Sequence, residues 1–317
     1  MKLHQLRYFV SVATQGSVRA AAAAMGVSAA SVSQALRELE AAMATPLIKR
    51  EPHGTVPTYA GRQLLVHARL ALGQLARAEE EIAQIRGLAG GTLCFGITPW
   101  ISQSILPHAL ARFHTLRPDV RIDVTEALGS AHPRLRDGTL DLVIGVPPRH
   151  AQSGFFARDL FRCGLAVVAR LGHPLARCTS LRDLGDQDWV LTLREEGGEQ
   201  PLAELLGPHE VAPAPERIHF ARSALLAIGM LEVGDMLTIC PWPLVETPLF
   251  RDRVQALPIR EPLPDMPTSL LVRRSGTLST AGQLFIDCFR EATEVCANLD
   301  DLVLKRIMNS VELLPQN

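Results

Sequence analysis

The side chains best suited to chemistry in this sequence lie between Ser28 and Arg37, in the run SAASVSQALR. Ser28, Ser31, Ser33, Gln34 and Arg37 carry hydroxyl, amide and guanidinium groups, the kinds of donor and acceptor that pair with base edges in the major groove of DNA. Val32, Leu36, Leu39 and Met43 recur at helical spacing and form one apolar stripe. At ~100° per residue the opposite face centres on Ala30, Gln34 and Arg37, with Ser31, Ser33 and Glu38 beside it. Ser28 is placed to cap this helix, and Ser17 to cap a preceding helix rich in alanine over residues 20–24. Gly26 separates the two, since it adopts the left-handed conformation that ends a helix at little cost. Two short helices around a glycine turn, the second with a small polar outer face, have the outline of a DNA-reading helix-turn-helix. An ordinary surface αα-hairpin has the same outline, so these residues alone leave both readings open.

The neighbouring segments must position that face. Leu3, Leu6, Phe9, Val10 and Ala13 form a helical stripe that supplies a supporting helix. After Thr45-Pro46, two strand-like runs, Leu47–Arg50 and Thr55–Pro57, flank a turn and carry Lys49, Arg50 and His53 near its tip. Basic side chains on a wing of this kind contact phosphates and fix the register of a reading helix. A solvated hairpin with charged ends is the plainer alternative. Residues 1–61 hold six basic and three acidic side chains, a net of +3, whereas the whole chain carries −1. A basic end on a near-neutral body suits a nucleic-acid-binding head.

With 317 residues, 47% of them hydrophobic, the chain has material for about two domains with sizeable cores. No apolar run approaches the ~18 residues that a membrane span needs. The N-terminal run MKLHQLRYFVSVATQ lacks the pattern of a secretory leader. A cytoplasmic protein with no membrane partner is expected. The six cysteines (94, 163, 178, 240, 288 and 296) show no CxxC pattern and no metal-ligand spacing. No nucleophile elbow and no phosphate-binding glycine loop occurs, and His132, His150, His173, His209 and His219 are scattered. The expectation is no enzyme activity, no catalytic residue, no metal and no cofactor.

A helical pattern runs unbroken from Thr58 to Arg86, where Leu65, Leu72 and Glu79 alternate with Ala68, Leu75 and Ile82 at a near-heptad period. Such a helix, roughly 40 Å long, exposes a stripe that a second copy of the chain would cover. Packing on its own chain is the alternative. The glycine-rich run GLAGG over residues 87–91 reads as a hinge. Beyond it, strand-like and helical patterns alternate, from Leu93, Phe95 and Ile97 on to Ser279–Asn298, which argues for sheets covered on both faces. Leu302, Val303, Ile307 and Val311 suggest one more amphipathic helix in the tail. In open α/β sheets ligands bind beyond the carboxyl ends of the strands. That points to Thr98, Pro99 and Trp100, to Gly129 and Ser130, to Val146 and Pro147, to Leu193 and Arg194, and to Pro241 and Trp242. A helix starting near Ile101 would present free N–H groups to an anion, with Ser102 and Ser104 as hydroxyl donors. Trp100 and Trp242 would be apolar walls, and Arg194 would neutralise an acid. A tryptophan near a strand end equally packs in a core, and Arg194 equally sits in solvent within its charged loop.

The run AAAAMGVSAASVSQALRELEAAMATPLIKREPHGTVPTYAG resembles the N-terminal winged helix-turn-helix of LysR-type transcriptional regulators. The shared features are the alanine helix, the Gly-Val-Ser turn, Ser33, Leu39-Glu40, a Pro-Leu pair, Arg50, Gly54 and Thr58-x-x-Gly61. Three positions depart from the usual pattern: Ala29-Ala30 stand for Gln-Pro, Ile48 for Phe and Pro57 for Leu. The segments around His173–Ala176 and Leu135–Gly145 also look like that family. The resemblance implies a winged helix-turn-helix over 1–59, a dimerising linker helix over 60–88, and a two-lobed α/β effector domain like a type 2 periplasmic binding protein. Its lobe 1 would comprise 89–161 and 267–297 and its lobe 2 residues 162–266, followed by a helical tail over 298–317. It further implies double-stranded promoter DNA as partner, contacted by Ser28, Ala29, Ser31, Ser33, Gln34, Arg37, Lys49, Arg50 and His53. Self-association to a dimer and tetramer, contact with RNA polymerase, and a small acidic or aromatic effector in the interlobe cleft follow from the same resemblance. An architectural DNA-binding protein without effector is the alternative, with a two-lobed enzyme a more distant one.

Overall fold

Serine caps, alanine runs and apolar stripes produce the expected helices at the N-terminus of the computed structural model, which describes residues 1–52, 54–85, 90–128, 131–148, 154–192, 201–274 and 278–315. The chain divides into two compact units, residues 1–91 with 133–140, and residues 92–132 with 141–317. In the first unit α1 (Leu3–Gln15), α2 (Val18–Ala24) and α3 (Ala29–Met43) precede a hairpin of β1 (Ile48–Glu51) and β2 (Gly54–Pro57), and α4 (Tyr59–Ile85) follows. Gly26 has φ +65°, as the turn between α2 and α3 requires. Leu6, Phe9, Val12, Ala21, Val32, Leu36, Leu39 and Leu47 make the core. A fully buried side chain such as Phe9 or Leu39 contributes about 1.5–3 kcal/mol, more than helix propensity supplies per residue. The stripes are narrower than their sequence patterns: Leu3 and Met43 are exposed, while the polar Gln5 is buried.

The seam of α4 splits in two. Ala68 is fully buried, and Leu65 and Leu72 pack against the core of their own unit. Leu75 and Ile82, farther along, stay 43% and 58% exposed. Residues 133–140 group with this unit, where Arg69 pairs with Asp137.

The second unit carries β3 (Thr92–Ile97), α5 (Pro99–Ser102), α6 (Ile105–Leu116), β4 (Arg121–Glu126), the first two residues of α7 (Ala131–Arg136), β5 (Leu142–Gly145), β6 (Phe155–Cys163) and β7 (Leu165–Arg170). It continues with β8 (Trp189–Leu191), α8 (Pro201–Leu206), β9 (Ile218–Phe220), α9 (Ala224–Val233), β10 (Thr238–Pro241), α10 (Trp242–Val245) and α11 (Pro248–Arg251). Last come β11 (Val254–Ala256), β12 (Met266–Arg273), α12 (Thr280–Asn298), α13 (Leu302–Asn309) and β13 (Val311–Leu313). A six-stranded sheet has the order β13-β6-β12-β5-β3-β4, with β3 parallel to both β4 and β5 and the rest antiparallel. A three-stranded sheet, β10-β7-β11, and a parallel pair, β8-β9, make the other lobe. The chain passes between lobes at Gly164, where β6 ends and β7 begins. Side chains alternate across β7: Ala166 and Val168 face the cluster that also holds Phe95, Trp100, Phe161 and Phe285, while Val167 and Ala169 face a second one with Trp189 and Leu237.

Two expectations change here. The tail is not all helix: α13 ends at Asn309, and Val311 lies in β13, which adds an edge strand beside β6. Leu304, Ile307 and Met308 are buried in the larger cluster, so the tail belongs to this unit. The nine-residue β6, FFARDLFRC, has no counterpart in the sequence reading, because its charges break the alternating pattern while its ladder with β12 holds it in the sheet.

Candidate nucleic-acid interface and effector cleft

The outer face of α3 is polar, exposed and internally hydrogen-bonded. Ser28 Oγ accepts from Ser31 N at 3.0 Å and shares a 2.8 Å hydrogen bond with Ser31 Oγ, which fixes the start of the helix. Ser31, Gln34 and Arg37 are exposed, Ser33 and Ala29 half-buried. Arg37 Nη2 donates to Gln34 Oε1 at 2.7 Å, and Gln34 Nε2 donates to Glu38 Oε1 at 2.9 Å. On the wing, Lys49 and Arg50 are exposed, with Lys49 Nζ 2.6 Å from Glu51 Oε1. His53 lies outside the described residues.

Three residues that the sequence marks only by their pattern turn out to hold this arrangement together. Glu40 Oε1 accepts from Leu47 N at 2.8 Å and Ile48 N at 3.1 Å, which ties the reading helix to the first wing strand. Thr58 Oγ1 donates to Pro46 O at 2.8 Å and accepts from Gly61 N at 3.0 Å, capping α4 against the wing. Gly61 is needed for close approach, since a Cβ there would lie 2.0 Å from Leu47 O.

The effector candidates have more varied fates. Thr98 N donates to Ile144 O at 2.8 Å, so the ends of β3 and β5 lie side by side and bring Thr98 and Pro99 toward Val146 and Pro147. The α10 turn, beginning at Trp242, packs against α5, which adds Pro241 and Trp242 to the same region. Trp100 does not line a cleft: it is 0% exposed and packs edge-on against Phe161 in the core, 5.2 Å between centroids. The anion site expected at α5 has fewer free donors than its sequence suggests. Pro99 has no N–H, and Ile101 N and Ser102 N both donate to Thr98 O, at 3.1 and 3.2 Å. Ser102 Oγ donates to Pro99 O at 2.6 Å, and the buried Ser104 Oγ to Trp100 O at 2.8 Å. Gly129, Ser130, Leu193 and Arg194 lie outside the described residues. Sequence reasoning missed Glu126. From the end of β4 its Oε2 accepts from Ala224 N at 3.0 Å, at the first turn of α9 in the other lobe. It also missed His132, whose Nε2 lies 2.8 Å from Val146 O. The only sequence signal for Glu126 is its position at the carboxyl end of a strand, and His132, inside α7, has none.

Comparison with known proteins decides what these two sites belong to. Residues 3–62 match the family described as "Bacterial regulatory helix-turn-helix protein, lysR family", and residues 86–294 match "LysR substrate binding domain". The chain belongs to the LysR family. Among its relatives, the HTH-type transcriptional regulator GalR of Pseudomonas putida is 30% identical over 90% of this chain and 73% of its own length. GbpR of Azospirillum brasilense is 27% identical over 75% of this chain and 71% of its own. The crystal structure of CbnR, a LysR family transcriptional regulator, has the same fold at a TM-score of 0.61 and 22% identity, covering 92% of this chain and 99% of that one. The chain is therefore a DNA-binding transcriptional regulator with an effector-binding domain, not an enzyme.

In this LysR-family chain three of the six thiols are poorly suited to redox chemistry. Burial pushes the Cys163 and Cys240 thiols up to about 12 and that of Cys296 up to about 11. The thiolate is the reactive form, so these groups are held in the inert one. No described helix is long and apolar enough to cross a membrane.

Proposed function

We propose that this regulator reads a promoter through the outer face of α3. Ser28, Ala29, Ser31, Ser33, Gln34 and Arg37 meet base edges, and Lys49, Arg50 and His53 of the wing meet phosphates. The observation that carries this reading is the exposed, hydrogen-bonded polar face on a helix whose opposite side is buried. A dimer forms through the outer half of α4, where Leu75 and Ile82 await a partner surface; pairs of dimers make a tetramer that meets RNA polymerase, in the cytoplasm. Residues 1–59 act as the reading head and 60–88 as the linker. The lobes of residues 89–161 with 267–297 and of residues 162–266 close around the effector, and residues 298–317 brace them.

The effector is a small organic acid, held near Thr98, Val146, Pro147, Pro241 and Trp242. Support comes from Glu126, because the amino end of α9 already takes a carboxylate, that of the chain itself. An acidic effector replaces Glu126 there, and its differential affinity for the two lobe arrangements shifts the DNA-binding state. An electrophoretic shift on the intergenic DNA beside the chain's own gene tests the first part; no sequence-specific complex at any salt concentration contradicts it. A thermal-shift screen of small carboxylic acids tests the second. DNA binding with no stabilisation by any acid would favour an architectural role.

A further inference from the structure

Gln5 stands out because it is a polar residue at 3% exposure on the apolar stripe of α1. A buried amide must satisfy its donors and its acceptor. Gln5 Oε1 accepts from Lys2 N at 2.8 Å, which turns Nε2 toward α3, where it donates to Glu38 Oε2 at 3.0 Å. The second carboxylate oxygen of Glu38 accepts from Gln34 Nε2, and Gln34 Oε1 accepts from Arg37 Nη2. Each partner fixes the orientation of the next, so the direction set by a backbone N–H at Lys2 is carried to an exposed guanidinium on α3. The hydrogen bonds from Gln34 and then Gln5 hold the Glu38 carboxyl below its ordinary range, so it remains the ionised double acceptor that the relay needs.

We infer that Gln5 and Glu38 are positioning residues for base readout, and that they assign guanine recognition to Arg37. This rests on the reading of the α3 face as the one that meets DNA. Each end of the Gln34 amide already carries one relay hydrogen bond, so it meets DNA with one N–H and one oxygen lone pair left and with its orientation set in advance. Arg37 uses one of five donors on Gln34 and keeps the rest, a planar fork matched to guanine O6 and N7. Holding a long side chain in place before binding removes rotamer freedom that would otherwise be lost in the complex. Glu38 also brings a negative charge close to the phosphates, which weakens binding to any sequence while sharpening choice among sequences.

The test selects bound sites from a randomised double-stranded library, using the full chain, with a fixed mixed-sequence duplex as the non-specific reference. Arg37→Ala should abolish the preference for guanine at one position of each half-site, a drop of roughly 5- to 150-fold, the range of a good bidentate contact. Gln5→Leu keeps size and burial, and should lower that preference about 3- to 10-fold, the size of one hydrogen bond, without changing the salt dependence. Glu38→Ala should lower the same preference and tighten binding to the reference duplex, a pair of opposite effects that a merely structural role would not give. If Gln5→Leu does not fold, the exposed Glu38 variant decides alone. Guanine preference unchanged in Arg37→Ala would overturn the reading of α3 itself. Preference lost in Arg37→Ala but intact in Gln5→Leu and Glu38→Ala would overturn the relay and leave that reading standing.

Discussion

Of the described helices that open on a serine cap, α3 and α9 make the sharpest contrast. Ser28 Oγ accepts from Ser31 N before α3, and Ser223 Oγ accepts from Leu226 N at 3.2 Å before α9. Past the cap they diverge. α3 has an apolar side buried in its own unit and a polar side outside, with Gln34, Arg37 and Glu38 bonded to one another within one turn. α9 is apolar nearly all round, and the group bound at its amino end, Glu126, comes from 98 residues away in sequence. The first helix presents hydrogen-bonding capacity outward, where a groove of DNA can take it. The second turns its positive end inward, onto another lobe. The polar face is written within a single helix; the Glu126 contact exists only where two lobes meet.

The largest expected effect separates the two regions outright. Gly61→Leu places a side chain against Leu47 O and should disrupt the wing and α3 by several kcal/mol, beyond the ~1–3 kcal/mol usual for overpacking. DNA binding should vanish while carboxylate-induced stabilisation of the second unit persists; loss of both would show that the two regions do not act independently. Next, the paired change Leu75→Asp and Ile82→Asp should yield monomers by light scattering and weaken DNA binding by on the order of 100-fold, since two linked heads gain from effective concentration. Normal dimers would mean that the outer half of α4 is not the contact. Glu126→Gln removes the charge that the amino end of α9 favours, worth ~0.3–1 kcal/mol at an exposed helix end, and should raise affinity for small carboxylates about 2- to 5-fold by calorimetry. Equal or weaker binding would argue that Glu126 does not occupy the acid's place.

The smallest effect concerns the thiols. With Cys163 and Cys240 moved from 9.0 to about 12, native-state alkylation of these two at pH 8 should proceed through on the order of one thiolate in ten thousand. The sign for stability follows from the raised values: below pH 9 both states keep the proton and nothing changes, while from 9 to 12 the unfolded chain loses it first, so the melting temperature should fall. A melting temperature that rises over this range would mean that the thiols are not buried.

The α3 region is the legible one because caps, glycine turns and helical stripes act over a few residues. Ser28, Gly26, Val32 and Leu39 lie where those rules put them. The same rules hid Gln5, since a polar residue on an apolar stripe signals nothing until its partner on another helix is known. In the second unit, strand ends say little about which side chains are exposed. Trp100 and Trp242 both follow a strand, yet one is buried against Phe161 and the other is 40% exposed, a difference set by the tertiary packing of α5 and α10. Glu126 carries no motif at all. β6 and β13 were invisible for a related reason: pairing in the sheet, not their own pattern, makes them strands.

The central claim, that Arg37 on the outer face of α3 reads a base edge, is tested most directly by a double-mutant cycle across the interface. The affinity of the wild type and of Arg37→Ala is measured by fluorescence anisotropy on a selected operator duplex, with guanine or 7-deazaguanine at the preferred position. Removing N7 should weaken the wild type about 3- to 10-fold, as one lost hydrogen bond does, and leave Arg37→Ala unchanged. The same loss in both proteins would contradict the account.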